Sequence, residues 1–409
     1  MSASTSGPGL GRRRFLGYLG SAAVGTAAGA TGTAALRGHS AVPGAEPVPG
    51  PSSGRTVSPY GVHQPGVAAG SSAVTEIVAL DLLPGVRREA DVAALGRLLR
   101  VWTGDVEALT TGRGTPGDTT PWLASPVADL TVTVGLGAPL LDGTWDLPVP
   151  RGFAPVPAMR HDRLEPDWSG GDLVLVVAGR DGTTVGHAVR RLVADAGPFA
   201  ELRWRQQGSW NPVGPDGRPA TGRNLFGQVD GSANPRPGTP LFDTTVWIDD
   251  GPWAGGTTMV LRRIRMDLPT WDELTRQEQE RSVGRDLATG APLTGGAELD
   301  DVDLAARRDG RPVVAVQAHA RRSHPSSNGG ARIFRKGANY EVTDPGRSEA
   351  GLLFSSFQAD LTRQFVRIQR TLDEADELNE WTTAVGSAEF AVLPGFTEGE
   401  WLGQRVLDG

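Results

Sequence analysis

Near the middle of the chain, FGQVDGSANP (Phe226 to Pro235) sets one carboxylate, Asp230, among glycines and small polar residues. Asp-Gly and Asn-Pro are turn dipeptides, so local chemistry alone accounts for an aspartate there. The same turn would offer a proton carrier if it faced a ligand. Further on, in RPVVAVQAHARRSHPSSNGGARIFRKGANY, a valine run delivers His319 to the start of an arginine-rich loop. His319 fits a satisfied histidine at a strand end, and it also fits a metal ligand. Pairing it with His324 falls short of the roughly three protein ligands that zinc needs, and no third histidine or paired carboxylate is spaced to help. A single neutral imidazole suits the axial position of a haem iron better. Arg332 and Arg335 flank Ile333 and Phe334, so the segment is half-buried and one arginine points inward. An inward arginine is seldom unpaired. It binds a carboxylate or an anionic ligand, or stabilises developing negative charge.

The remaining histidines carry less. His39 lies in the leader, His63 in a Gly/Pro-rich arm (YGVHQPGV), His161 in a polar loop and His187 on an amphipathic helix, where an ordinary surface or helix-start role suffices. There is no cysteine among the 409 residues, which excludes disulfides, thiolate metal sites, iron–sulfur clusters and cysteine nucleophiles. The N-terminus, GRRRFLGYLGSAAVGTAAGATGTAAL, has the twin-arginine pattern at Arg12-Arg13 followed by a weakly apolar stretch, with a small-residue cleavage site after Ala41. That stretch is too short and too weakly apolar for a stable membrane span. Export by the twin-arginine route carries folded proteins and suits a cofactor inserted beforehand. Removing residues 1–41, which hold four arginines and no acid, takes the net charge from −7 to −11. Such a charge argues against nucleic acid or anionic membrane as partner.

The elements that must position these groups repeat. Residues 42–72 are Pro/Gly/Ser-rich and read as a linker or extended arm. TEIVALDLL, DLTVTVGLG, GDLVLVVAG and AELRWRQQGSW read as strands, and DVAALGRLLRVWTGDVEAL and GHAVRRLVADAG as helices. The order is β-α-β-β-α-β, that of a ferredoxin-like unit. The second half repeats the pattern. DTTVWID and TTMVLRRIRMDL read as strands, and Thr270 with Glu273 as a capping box opening a helix. GLLFSSFQA reads as a strand and DLTRQFVRIQRTLDEADEL as a long helix. The expected architecture is α+β: two ferredoxin-like domains with antiparallel sheets, residues 73–220 and 221–409.

FGQVDGSANP resembles the GxxDG motif of dye-decolourising peroxidases at Gly227, Asp230 and Gly231. AHARRSHP and RIFRKGANY resemble that family's haem-ligand and distal-arginine segments, and the resemblance spans roughly residues 58–405. It implies haem b in the C-terminal domain, with His319 as proximal iron ligand and metal contact. It implies Asp230 as distal acid/base, Arg335 as distal cation, Arg332 on a haem propionate, and Asp376 accepting the second N–H of His319. Gly227 and Gly231 would let the backbone approach the flat cofactor. The implied reaction is reduction of hydrogen peroxide through an oxoferryl intermediate, at acidic pH. Electrons would come from dyes, phenolics or a redox protein, with Tyr340 either a surface relay or core packing. The family commonly carries twin-arginine leaders. After Arg335 this chain has Lys336-Gly337-Ala338-Asn339, where many members have a second arginine and then Gly-Tyr. Two alternatives remain: a haem-handling, iron-releasing protein of the same fold, or a haem-free binding module.

Overall fold

The structure, a computed structural model, describes residues 55–408 apart from 127, 212, 215–219 and 345–346, so the leader and residues 42–54 of the linker lie outside the described residues. The first half contributes strands β1 (Val74–Leu82), β2 (Thr131–Gly137), β3 (Leu173–Gly179) and β4 (Ala200–Ser209), with helices α1 (Val92–Thr110) and α2 (Gly182–Ala196) between them. All pairings are antiparallel and the order is β4-β1-β3-β2. Both helices start where an aspartate accepts first-turn N–H groups: Asp91 from Ala94 N at 2.8 Å, and Asp181 from Thr183 N at 3.0 Å. Their apolar faces (Leu95, Leu98, Leu99 and Trp102; Val185, Val189 and Leu192) are buried against the sheet.

The second half repeats the sheet with β5 (Thr257–Met266), β6 (Phe334–Asp344), β7 (Arg347–Gln358) and β8 (Thr382–Val392), in the order β8-β5-β7-β6. The two sheets join through β2 with β8, and at the single pair Ser209 with Asn339 between β4 and β6, to close an eight-stranded barrel. Phe242, Met259, Phe334, Phe357 and Phe390 fill its interior. The barrel also explains why β2 is buried along its whole length although its sequence alternates: its threonine face looks into the barrel rather than into water.

Three expected elements differ. DTTVWID forms no strand; Pro240–Val246 is a short helix, because Thr239 caps it and Pro240 occupies its first turn. The capping box is not Thr270/Glu273. Leu268–Asp272 is a separate short helix capped by Asp267, and the reciprocal box is Thr275/Glu278, opening α3 (Arg276–Val283). The same Thr-x-x-Glu spacing occurs twice, and only the second leads into the helix. The long last helix shrinks to α5 (Arg367–Ala375), preceded by one wide turn at Thr362–Val366.

Residues 55–72 are an arm packed on the body. Gln64 donates to Val134 O and Leu393 O, each at 2.8 Å, and His63 stacks on Trp247 at 3.7 Å.

Candidate functional site

A cavity of about 240 Å³ lies on the outer face of the second sheet. Strand periodicity selects its wall. Ile264 and Met266 from β5 and Leu352 and Phe354 from β7 line it, and Ile368 and Leu372 of α5 cover it. On β6, Arg335 lines the cavity, whereas Phe334, Ala338 and Tyr340 belong to the core inside the barrel. Lys336 is on the barrel side too, its Nζ donating to Gly66 O at 2.5 Å, and burial pulls its pKa down to about 7. The lysine that follows Arg335 therefore has no place at the cavity.

His319 opens the one-turn helix α4 (His319–Arg322) rather than ending a strand. Its Nδ1 lies 2.6 Å from Asp376 Oδ2. A carboxylate only accepts, so Nδ1 carries a proton, and in the neutral ring Nε2 is free for a ligand. Burial opposes a charge on this imidazole, but the Asp376 charge and hydrogen bond outweigh it and hold the pKa above the usual histidine value. Asp376 ends α5, and its other oxygen accepts from Leu378 N at 3.0 Å, so the carboxylate is fixed at both oxygens.

The GxxDG turn also reaches the cavity. Asp230 Oδ1 accepts from Arg335 Nε at 2.9 Å and Oδ2 from Asn224 Nδ2 at 3.3 Å. Asn234 completes the link: its Nδ2 donates to Arg335 O at 2.7 Å, and its Oδ1 accepts from Arg335 N at 3.1 Å. Sequence reasoning treated Asn234 as part of a turn dipeptide and did not single out Asn224. Both were visible as amides within six residues of Asp230, but nothing in the sequence aims an amide. Gly231 does not line the cavity, although Asp230 and Ser232 on either side do. Its φ of 126° and a Thr221 methyl 3.3 Å from where a Cβ would stand account for the glycine. Gly227, with φ 77°, is likewise explained by its backbone.

Three other histidines take structural partners. His324 lines the cavity but uses both ring nitrogens, on Asp301 Oδ1 at 2.9 Å and Ser326 Oγ at 2.8 Å, so it is not a second ligand. His187 is not a surface residue: it is buried, with Nε2 2.9 Å from Asp118 Oδ2. His63 meets Gly255 O at 2.7 Å. Arg332 lines the cavity near His324, and its guanidinium has no hydrogen-bond or ion-pair partner among the described residues.

The Dyp-type peroxidase N-terminal family model matches residues 64–209 and the C-terminal model residues 221–397. The chain belongs to the Dyp-type peroxidase family. The dye-decolorizing peroxidase of Thermobifida fusca is 37% identical over 434 residues, covering 99% of each chain. A deferrochelatase of Yersinia pseudotuberculosis is 32% identical, covering 85% of this chain and 84% of its own. The crystal structure of a DyP-type peroxidase from Cellulomonas bogoriensis is 46% identical with a TM-score of 0.81, covering 88% of this chain and all of that one. This Dyp-type peroxidase is thus an oxidoreductase of the peroxidase class, and haem b is the standard cofactor of these enzymes.

The residues fit that cofactor. Among the described residues no cluster of three or more His, Cys, Asp or Glu could hold a bare metal ion. A single imidazole with a free Nε2 in a largely apolar cavity suits an iron that brings its own ring nitrogens. The same cavity is lined by an acid and a cation, Asp230 and Arg335, and Arg332 remains for a carboxylate substituent.

Tyr340 faces away from all this. It is buried and donates to Glu349 Oε1 at 2.9 Å, with Arg263 stacked 4.2 Å from its ring, and burial pushes the phenol well above its ordinary pKa. Aromatic contact with the cavity runs elsewhere. Phe226, on the wall, stacks on Trp271 at 4.4 Å, and Trp271 meets the partly exposed Trp381 at 5.3 Å. The sequence contained those tryptophans but gave no distance from a cavity.

Proposed function

We propose that this Dyp-type peroxidase is an exported enzyme that reduces hydrogen peroxide and takes its electrons from dyes, phenolics or other one-electron donors. The observation that carries this reading is the pairing of Asp230 and Arg335 at 2.9 Å on the cavity wall, with the Asp376-held His319 lining the same cavity. His319 Nε2 would hold the haem iron, and Arg332 would hold a haem carboxylate. When bound, the haem supplies a ferric iron that binds peroxide and accepts its oxidising equivalents.

The protein's own groups do the rest. Asp230 is placed to take a proton from one peroxide oxygen and return it to the other. Asn224 and Arg335 keep both carboxylate oxygens oriented, and Asn234 fixes Arg335 through its backbone. The Arg335 guanidinium stabilises negative charge that develops on the leaving oxygen. Asp376 raises the electron-donating power of His319 by accepting its Nδ1 proton. Donors too bulky for the cavity would be served through Phe226, Trp271 and Trp381. The twin-arginine pattern at Arg12-Arg13 supports export.

A second reading is haem handling with iron release, supported by the deferrochelatase relatives. It does not require the acid and cation together at one cavity. An optical spectrum of the purified holoprotein, taken before and after one equivalent of peroxide, separates the two. A fast change of the haem band is expected of the peroxidase. Haem that stays unchanged favours the carrier, and a protein that takes up no haem defeats both.

A further inference from the structure

A two-stranded ribbon, Arg307–Arg308 paired with Arg311–Pro312, leads into the His319 segment. Arg307, Arg308 and Arg311 are all exposed. Arg308 and Arg311 are direct cross-strand partners, which places two like charges about 5 Å apart at the Cβ atoms. Such an apposition is destabilising, and neither guanidinium has a counter-ion or hydrogen-bond partner among the described residues. Asp309, between them at φ 50°, makes no ion pair with them among the described residues. The ribbon is firmly based. Arg321, two residues after His319, donates to Leu304 O at 2.8 Å and to Val314 O at 2.9 Å, gripping both legs. Gln317 O accepts from Glu377 N at 2.9 Å, next to Asp376. Val316, beyond the ribbon, is 61% exposed.

We propose that this ribbon docks an acidic protein surface, that of a one-electron donor. The proposal rests on the peroxidase reading. A small anion at an exposed tip would gain little, because solvated ion pairs contribute little. A protein partner can desolvate the guanidinia and engage them through bidentate carboxylates. The chain carries a net charge of −7, so an acidic partner is repelled by the molecule as a whole and attracted at the unpaired guanidinia of Arg308 and Arg311, which orients the encounter. Docking here places the donor against the segment that carries His319. The balance is one H2O2, two protons and two successive single electrons giving two waters.

The test uses holoenzyme with reduced cytochrome b5 as the acidic protein donor, ferrocyanide as the small anion and a neutral phenol as control. The variant is the double charge reversal Arg308→Glu/Arg311→Glu, with Arg308→Gln/Arg311→Gln as a milder pair. The expected result is a roughly tenfold or greater fall in kcat/KM for the cytochrome at low ionic strength, shrinking at 0.15 M salt, with the phenol unchanged. Unchanged cytochrome kinetics would overturn the proposal. So would an equal loss with ferrocyanide, which would make the ribbon a small-anion site. A wild-type haem spectrum indifferent to peroxide would instead remove the peroxidase reading, and that is seen before any donor is added.

Discussion

The two halves use the same strand order and differ in what covers the sheet. In the first half α1 and α2 lie across the outer face, and their leucines, valines and Trp102 are buried against it. In the second half the first crossover offers only the short Leu268–Asp272 and α3, followed by a long irregular segment to His319. The second crossover offers α5 behind one wide turn. The thinner cover leaves a cavity, and the irregular segments bring polar groups to it: Asp230 on a turn, His319 at the start of α4, Asp376 at the end of α5. A duplicated framework has thus become a packed half and a hollow half. Loops carry the chemistry because their backbone is free to aim side chains that a filled helical layer would bury.

The contrast is sharpest at the hollow half. Asp230→Ala is expected to slow the reaction with peroxide by about 10²–10⁴-fold and Arg335→Leu by about 10²–10³-fold, with haem content kept, as stopped-flow absorbance would show. Near-wild-type rates for both would mean that the hollow half binds haem without performing this chemistry. In the packed half, Leu98→Ala should cost about 2–5 kcal/mol of stability in denaturant unfolding and leave the haem spectrum alone. A spectral change there would show that the halves are not functionally separate.

Asp105 gives the packed half a pH signature. It is buried on α1 with one carboxylate oxygen unpartnered. Burial first, and the neighbouring Asp195 second, push its pKa up to about 7, against the pull of Arg191. The folded state therefore keeps a proton that the unfolded chain loses near pH 4, so this residue removes stability progressively as pH rises from about 4 to 7. Asp105→Asn should raise the melting temperature more at pH 8 than at pH 5, with a difference of at most about 4 kcal/mol. An equal gain at both pH values would contradict the assignment.

Smaller effects separate the hollow half from the barrel interior. Asp376→Asn should reduce haem retention or activity by about 10–100-fold, read as haem loss to apomyoglobin. Trp381→Phe should slow oxidation of a bulky dye severalfold at equal haem content, and Tyr340→Phe should not, because Tyr340 lies in the barrel core. The reverse pattern would move the relay into the barrel.

Much of the framework was legible. The strands and helices of the first half follow from apolar periodicity, and so does β5. The second half was harder to read. DTTVWID looks like a strand until Thr239 and Pro240 are seen to start a helix. Thr270 and Thr275 both precede a glutamate at the same spacing, and local pattern does not rank them. The segment from Thr382 to Val392 has no element assigned to it in the repeat read above, yet it is a strand that connects the two sheets.

By itself, the sequence determined the absence of thiol chemistry, the repeated α+β order and a short set of chemical candidates: Asp230, His319, Arg332, Arg335 and Asp376. Tertiary structure alone decided which of them meet. Asp230 and Arg335 are 105 residues apart and His319 and Asp376 57 apart, yet each pair is hydrogen-bonded. It also decided that Arg335 and Lys336 part company, Gly231 withdraws from the cavity and His324 is spent on Asp301. Local sequence sets dihedral preference and the alternation of faces. Which face becomes a cavity depends on the thickness of the layer packed over it, and that is settled only when distant segments compete for the same surface.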